Sequence, residues 1–264
     1  MKKILTLVAA ASSGIFCFAQ QKEGKVIYER TSQFQFRIND NDQEHNMPQS
    51  KTDKFELLFG NNQSLWHISD EQTPEEEGPA GGVQIRMIGG GNDDISYYDF
   101  NKGTSTEQKE MFEKKFIIAD SIHKLNWKLT GETKTVLNHV CQKAVAQRIG
   151  MRTMMNMDNG KMERKEISDT NVIVAWFTPD IPVSAGPAEF QGQLPGLILE
   201  MDLNNGRQTF KATGISAKAD IAAIKEPRSG KKVTRDQFKK ETQKMMEEME
   251  KNNQGGGRSI RISN

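Results

Sequence analysis

The stretch AGPAEFQGQLPGLILEMDLNNG, residues 185–206, decides the fold. Pro and Gly crowd its first half, and a period-two run fills its second. Pro195-Gly196 signals a turn, because Pro presets φ at the second turn position and Gly tolerates a positive φ at the third. Beyond it, Leu197, Leu199, Met201 and Leu203 share one phase while Ile198, Glu200 and Asp202 share the other. That is the alternation of a strand with unlike faces. Asn205-Gly206 then suits a two-residue type I′ connection. A hairpin closed there sets Met201 opposite Phe210 and Glu200 opposite Lys211. An apolar pair on one face and a charge pair on the other support the same register. The Pro and Gly are therefore read as architecture that turns the chain into a strand.

Working outward, the same alternation recurs. In GKVIYERTSQFQFRI, Val26, Tyr28 and Arg30 share a phase that Phe34, Phe36 and Ile38 continue. NDNDQEHNMPQS reads as a polar loop. DKFELLFG and SLWHIS, joined by NNQ, read as a hairpin, and DISYYDF, KKFIIAD and NWKLTGE as further short strands. Residues 136–182 read as one long hairpin turning at Asn159-Gly160, which sets Met157 opposite Met162. DEQTPEEEGPAGG and GGGNDD bracket a strand candidate, VQIRMI, and predict a mobile insertion. Its carboxylates at Glu75, Glu76, Glu77, Asp93 and Asp94 lack the loop spacing of an EF-hand.

The period changes near the end of the chain. TRDQFKKETQKMMEEMEKNNQ opens with Thr234 and carries Gln237 three residues on, a capping box. Phe238, Met245 and Met249 follow as one narrow apolar stripe on a charged helix, expected to pack on a sheet. The expected fold is mainly β (α+β): a curved antiparallel sheet, half-barrel-like, with a C-terminal amphipathic helix. The expected organisation is a signal peptide over 1–19, one β-rich domain over 20–230, and a helix and tail over 231–264 packed on or beside it.

MKKILTLVAAASSGIFCFA carries Lys2 and Lys3, an apolar run and a closing Ala19, the pattern of a secretory signal. The run is short for a membrane span of ~20 residues. Cleavage after Ala19 predicts an exported, soluble protein, periplasmic or secreted, without a transmembrane anchor. The whole chain has 36 basic and 35 acidic residues; without Lys2 and Lys3 the balance is 34 against 35. Nucleic-acid binding is not expected from so even a balance. Of the two cysteines only Cys141 survives export, so no internal disulfide forms and the thiol is expected to be buried.

Taken together, CQKA and VIVAWFTPDIPVSAGPAEFQGQLPGLILEMDL resemble the GLPGLI family of exported bacterial proteins. The resemblance rests on Cys141, Lys143, Ala144, Ala175, Trp176, Ile181, Pro182, Gly186, Pro187, Leu194, Pro195, Gly196, Leu197 and Ile198. Gln193 stands where the family pattern has its first Gly, with Gly192 displaced by one. The resemblance implies a β-rich envelope protein without an established activity, somewhat like half-barrel carriers of lipid or lipoprotein. It makes Cys141, Trp176, Pro182, Gly186, Pro187, Leu194, Pro195 and Gly196 structural motif residues.

Four groups of residues bear on chemistry. Met151, Met155 and Met157 share a phase with Met162 across the turn, and thioethers are soft ligands suited to Cu(I); Met is equally a flexible core filler. Cys141 and His139 lie two residues apart, but no third group orients the base, so no catalytic set is assigned. The Gly runs match no phosphate-binding fingerprint, and Trp66, Trp127 and Trp176 read as strand-face packing. No cofactor is expected. The function expected is that of a non-catalytic envelope protein that binds or carries an apolar ligand or an exported partner, with periplasmic Cu(I) handling as the alternative. An apolar carrier requires an open concave apolar surface, and a filled interior argues against it.

Overall fold

The computed structural model describes residues 21–40, 43–70, 94–111, 113–158 and 161–253, with side chains left undescribed at 34–40, 43–49, 151–167, 246 and 249–253. The signal segment, the acidic insertion other than Asp70 and Asp94, the Asn159-Gly160 turn and the last eleven residues lie outside the described residues. Among the described residues twelve strands form one sheet: β1 Gly24–Asp40, β2 Gln43–Gly60, β3 Gln63–Ile68, β4 Ile95–Asp99, β5 Thr104–Met111, β6 Lys114–Ser121, β7 Lys128–Val136, β8 His139–Asp158, β9 Lys161–Thr178, β10 Leu197–Leu203, β11 Gln208–Ser216 and β12 Lys231–Val233. An α-helix, α1 Arg235–Asn253, follows. The row order is β12-β6-β5-β4-β3-β2-β1-β11-β10-β9-β8-β7, so the sheet is open, with β12 and β7 at its edges. Every pairing is antiparallel except β12 on β6, which makes the sheet mixed.

The decisive hairpin takes the expected register, Met201 opposite Phe210 and Glu200 opposite Lys211. Its left-handed run starts one residue earlier than expected, at Asn204, and continues through Asn205 and Gly206. Asn61 and Asn62 turn β2 into β3, and Leu137 and Asn138 turn β7 into β8, all at positive φ. That second turn separates Val136 from the long hairpin, which is therefore β8–β9 alone. One further reading is corrected, and one strand carried no signal in the sequence. Residues 43–50, read as loop from their polarity, are strand, because β2 pairs with β1 along its whole length. TSTEQKEM, which carries no apolar alternation, is β5, and its Ser105, Thr106, Glu107 and Gln108 are buried.

The inner face of the sheet holds the main core: Val26, Tyr28, Leu57, Trp66, Ile173, Ala175, Phe177, Met201 and Phe210 are all buried. Trp66 stacks on Phe55 at 4.9 Å between ring centroids. One row of the outer face reads Lys143, Trp176, Glu200, Lys211, Glu29 and Lys54, with charges alternating across the strands. Farther along, the outer face is covered by the chain crossing from β11 to β12, which seats Ile224 on Leu58, Leu65 and Tyr97.

Thr234 and Gln237 make the capping box as expected, each backbone N–H meeting the other's side chain, at 2.9 and 3.1 Å. Phe238 packs edge-on against Phe116, and Met245 joins the same cluster. Ile118 of that cluster lies in the row Leu57, Trp66, Ser96, Glu107, Ile118, so α1 covers the inner face near the β6 edge. Arg235 fastens it there, reaching Glu107 at 2.6 Å and Asp120 at 3.0 Å. Among the described residues no helix is long and apolar enough to cross a membrane.

Candidate functional site

The motif segment between β9 and β10 folds over the inner face and fills it. Ile181, Val183, Ala185, Phe190 and Leu194 are buried in the main core; Pro187 is also buried, while Pro182 and Pro195 face solvent. Leu197 N–H donates to the Ile181 carbonyl at 3.1 Å and Ile198 N–H to that of Ala185 at 3.0 Å, so the segment doubles back against its own strand. The buried Tyr28 hydroxyl donates to the Ile198 carbonyl, and burial pushes its pKa far up. Ser64 meets the buried Gln191 side chain from the sheet.

The glycines act by close approach. A Cβ on Gly196 would lie 2.2 Å from the Thr178 carbonyl oxygen, and one on Gly186 would lie 2.8 Å from Ile198 Cδ1. Gly196 does not take the positive φ expected of it; Gly192 does, at 74°. The position that departs from the family pattern is put to use. The Gln193 side chain accepts from Leu125 N–H at 3.0 Å and Trp127 Nε1–H at 3.2 Å, and donates to the His123 carbonyl at 2.8 Å. Trp127 therefore serves as a clamp point on a connection and not on a strand face.

Cys141 is fully buried, as expected, with its Sγ–H directed at the His139 carbonyl at 3.6 Å. Burial pushes its thiol up to about 11, partly offset by Lys134. The His139 ring instead approaches the Asp180 carboxylate, at 3.6 Å. Trp176 is half-buried on the outer face, where the Lys134 ammonium sits 4.5 Å from its ring centroid and also bonds Glu200. Among the described residues no three His, Cys, Asp or Glu side chains cluster as a metal site. Met157 does pair with Met162 in register, while Met155 pairs with Arg164 and Met151 with Ser168; the side chains of these four methionines lie outside the described residues.

With the inner face filled, cavities lie elsewhere. An open groove of about 750 Å³ runs beside β12, floored by Ile117, Ala119 and Val233 and rimmed by Glu226, Arg228 and Lys232.

The other concave feature is made by backbone. β1 pairs with β11 only up to Ser32, and β9 pairs with β10 only from Ile173. Beyond those points the ladders among the described residues run only within each long hairpin, residues 33–40 with 43–50 and residues 147–158 with 161–172. Both leave the sheet at the end where β10 turns into β11, one on each side of that short turn. They bound a slot two strand positions wide, ~14 Å from β1 to β9 at ordinary strand spacing.

The fold and site define a class: an open, mostly antiparallel β-sheet whose inner face is sealed by its own chain and whose one end carries two projecting hairpins. Residues 127–200 match a family model described as "Protein of unknown function (Porph_ging)", and all eight motif residues fall inside that span. No curated protein matches the chain. Among solved structures it is similar to PNGF-II in space group C2, at 16% identity and TM-score 0.50, over 84% of this chain and 33% of that one. PNGF-II in space group P21 aligns at 16% identity and TM-score 0.49. The chain thus spans about one third of PNGF-II, and the likeness concerns the fold alone.

Proposed function

We propose that the chain is an exported, non-catalytic envelope protein of GLPGLI type that works by binding another polypeptide through its two projecting hairpins. The observation that carries this reading is the division of labour along the sheet. The inner face, where an apolar ligand was expected, is occupied by Ile181, Val183, Phe190 and Leu194, whereas the slot edges present backbone groups without a ladder partner among the described residues. The buried, alkaline-shifted Cys141 thiol supports the non-catalytic part of that reading.

Native mass spectrometry of mature protein from an exporting host tests the reading. A polypeptide adduct is expected, lost when residues 149–170 are replaced by Asn-Gly. Photo-crosslinking from Arg37 or Arg164 is expected to trap that polypeptide, and crosslinking from the exposed Leu129 is not. A small apolar adduct retained by the shortened chain would overturn the reading in favour of a carrier.

A second reading, Cu(I) handling, is favoured by the Met157–Met162 pairing. It expects stoichiometric Cu(I) on the mature chain, abolished when Met155 and Met157 become Leu; no retained copper overturns it.

A further inference from the structure

We infer that the slot between the hairpins is filled by the β8–β9 hairpin of a second copy, the two copies exchanging these arms about a two-fold axis normal to the sheet. This rests on the reading above only in taking the slot as a binding surface.

The slot edges can be read residue by residue. Val172 turns its backbone toward β10, donating to Asn204 Oδ1 at 3.1 Å and accepting from Asn204 N–H at 2.9 Å. Successive residues of a strand alternate, so Met162, Arg164, Glu166, Ser168 and Thr170 turn their N–H and C=O groups into the slot. On the other wall Gln33 N–H donates to the Arg207 carbonyl at 2.8 Å, so Gln35, Arg37 and Asn39 do the same. Backbone donors and acceptors in such an array are a template for a further strand.

Other edges are blunted. β7 has a register break between Leu129 and Thr133, with Gly131 at φ 80° and Lys128 and Lys134 flanking it. β12 is three residues long. The outward edge of the β1–β2 hairpin carries Pro48: Lys54 accepts from Ser69, so even-numbered β2 residues turn outward, and Pro48 offers no N–H there. Among the described residues, the long edges without a bulge or a proline are the slot walls and the outward edge of β8 beyond Val145, where β7 stops.

Strand direction and width select the occupant. β1 and β9 run in opposite directions, so two further strands, themselves antiparallel, satisfy all three new pairings. A hairpin from a copy facing end-on supplies them. Inserting the β8–β9 arms reciprocally gives the row order β2-β1-β8′-β9′-β9-β8-β1′-β2′, primes marking the second copy, with every neighbour antiparallel. The two-fold then runs between β9 and β9′, an isologous contact.

Charge fixes the register. β9 begins KMERKEISD, with positive residues early and negative residues late. With the axis at Lys165, Arg164 stands opposite Glu166′, Lys161 opposite Asp169′ and Met162 opposite Ser168′, each twice by symmetry. Lys165 alone meets its own copy. Every such axis sets one charged residue on its own copy, but an axis at Arg164 leaves Glu163 opposite Lys165′ as its one kind of opposed pair, and an axis at Glu166 sets Glu163 against Asp169′, so the Lys165 register makes the most opposed pairs. In the Lys165 register the incoming arm stops just short of the Asn204 turn. The strand ladders then carry the alignment across the sheet and set Met157′ opposite Arg37 and Met155′ opposite Asn39, pairs whose backbone groups face each other.

Sedimentation equilibrium of the mature chain over a dilution series tests the inference. A monomer–dimer equilibrium is expected for the wild type. Arg164→Glu alone or Glu166→Arg alone is expected to raise the dissociation constant at least about tenfold, since each converts both opposed pairs to like charges. The double exchange R164E/E166R is expected to restore it to within about threefold. Far-UV circular dichroism confirms that each variant is folded. A wild-type chain that stays monomeric, or a dimer indifferent to the single exchanges, overturns the inference. A monomer whose hairpins still crosslink a different polypeptide overturns only the second-copy assignment and leaves the binding reading standing.

Discussion

The segment that fills the inner face and the hairpins that leave the sheet are opposite solutions for a connected chain. Residues 181–198 are held from every side: buried side chains, backbone bonds to their own strand, Tyr28 from β1, and glycines where a methyl group would strike neighbouring atoms. Among the described residues, 33–40 ladder only with 43–50 and 147–158 only with 161–172, and an isolated two-stranded ribbon is marginal in water. The difference teaches that the dense sequence signature marks what the fold needs. The sparsely supported hairpins are where the protein has hydrogen-bonding capacity left for something else.

The comparison is broken most directly at Gly196. A Cβ 2.2 Å from the Thr178 carbonyl oxygen meets backbone and not a yielding side chain, so Gly196→Ala is expected to cost about 3 kcal/mol or more. Urea denaturation checks this, and a loss below about 1 kcal/mol would show the segment to be loosely held.

A middle-sized effect comes from acid. Burial acts to raise the Asp53 carboxyl, but hydrogen bonds from Arg30 and Lys51 outweigh it and hold the group below its ordinary value. The Arg235 guanidinium does the same for Asp120 against its burial. A carboxyl lowered in the folded state stabilises fully above its unfolded pKa of ~3.9 and loses that contribution as pH falls toward the folded value. Stability is therefore expected to fall below about pH 4. Asp53→Asn is expected to flatten that slope and to cost about 1–2 kcal/mol at neutral pH.

Gln193→Ala should cost less, about 1 kcal/mol, because the three bonds it breaks tie down a half-exposed connection. Hydrogen exchange is expected to accelerate at Leu125 and Trp127 while the amides of β10 stay protected.

Much of this was legible in sequence wherever period-two alternation or turn chemistry was strong. The β10–β11 register followed from Asn205-Gly206 with its matched pairs, and the α1 cap from Thr234 and Gln237. β5 was not legible, because its buried Thr106 and Glu107 are satisfied by Glu226 and Arg235, 120 and 128 residues away. Residues 43–50 misled for a related reason: their polarity fits a loop, and only pairing with residues 33–40 makes them strand. The role of Gly196 was half legible. Turn chemistry asked for glycine there, but the requirement is close approach to Thr178 and not positive φ. The slot was invisible, since it depends on where β10 and β11 stop relative to their neighbours.

The most direct test of the account is the thermal melting of a chain in which residues 149–170 are replaced by Asn-Gly, closing β8 on β9 at the Arg148–Asn171 pair. If the filled inner face carries the fold and the hairpin serves binding, the shortened chain unfolds cooperatively within about 4 °C of the full-length protein. Failure to fold, or a much larger drop, would contradict the division of labour and make the hairpin part of the core structure.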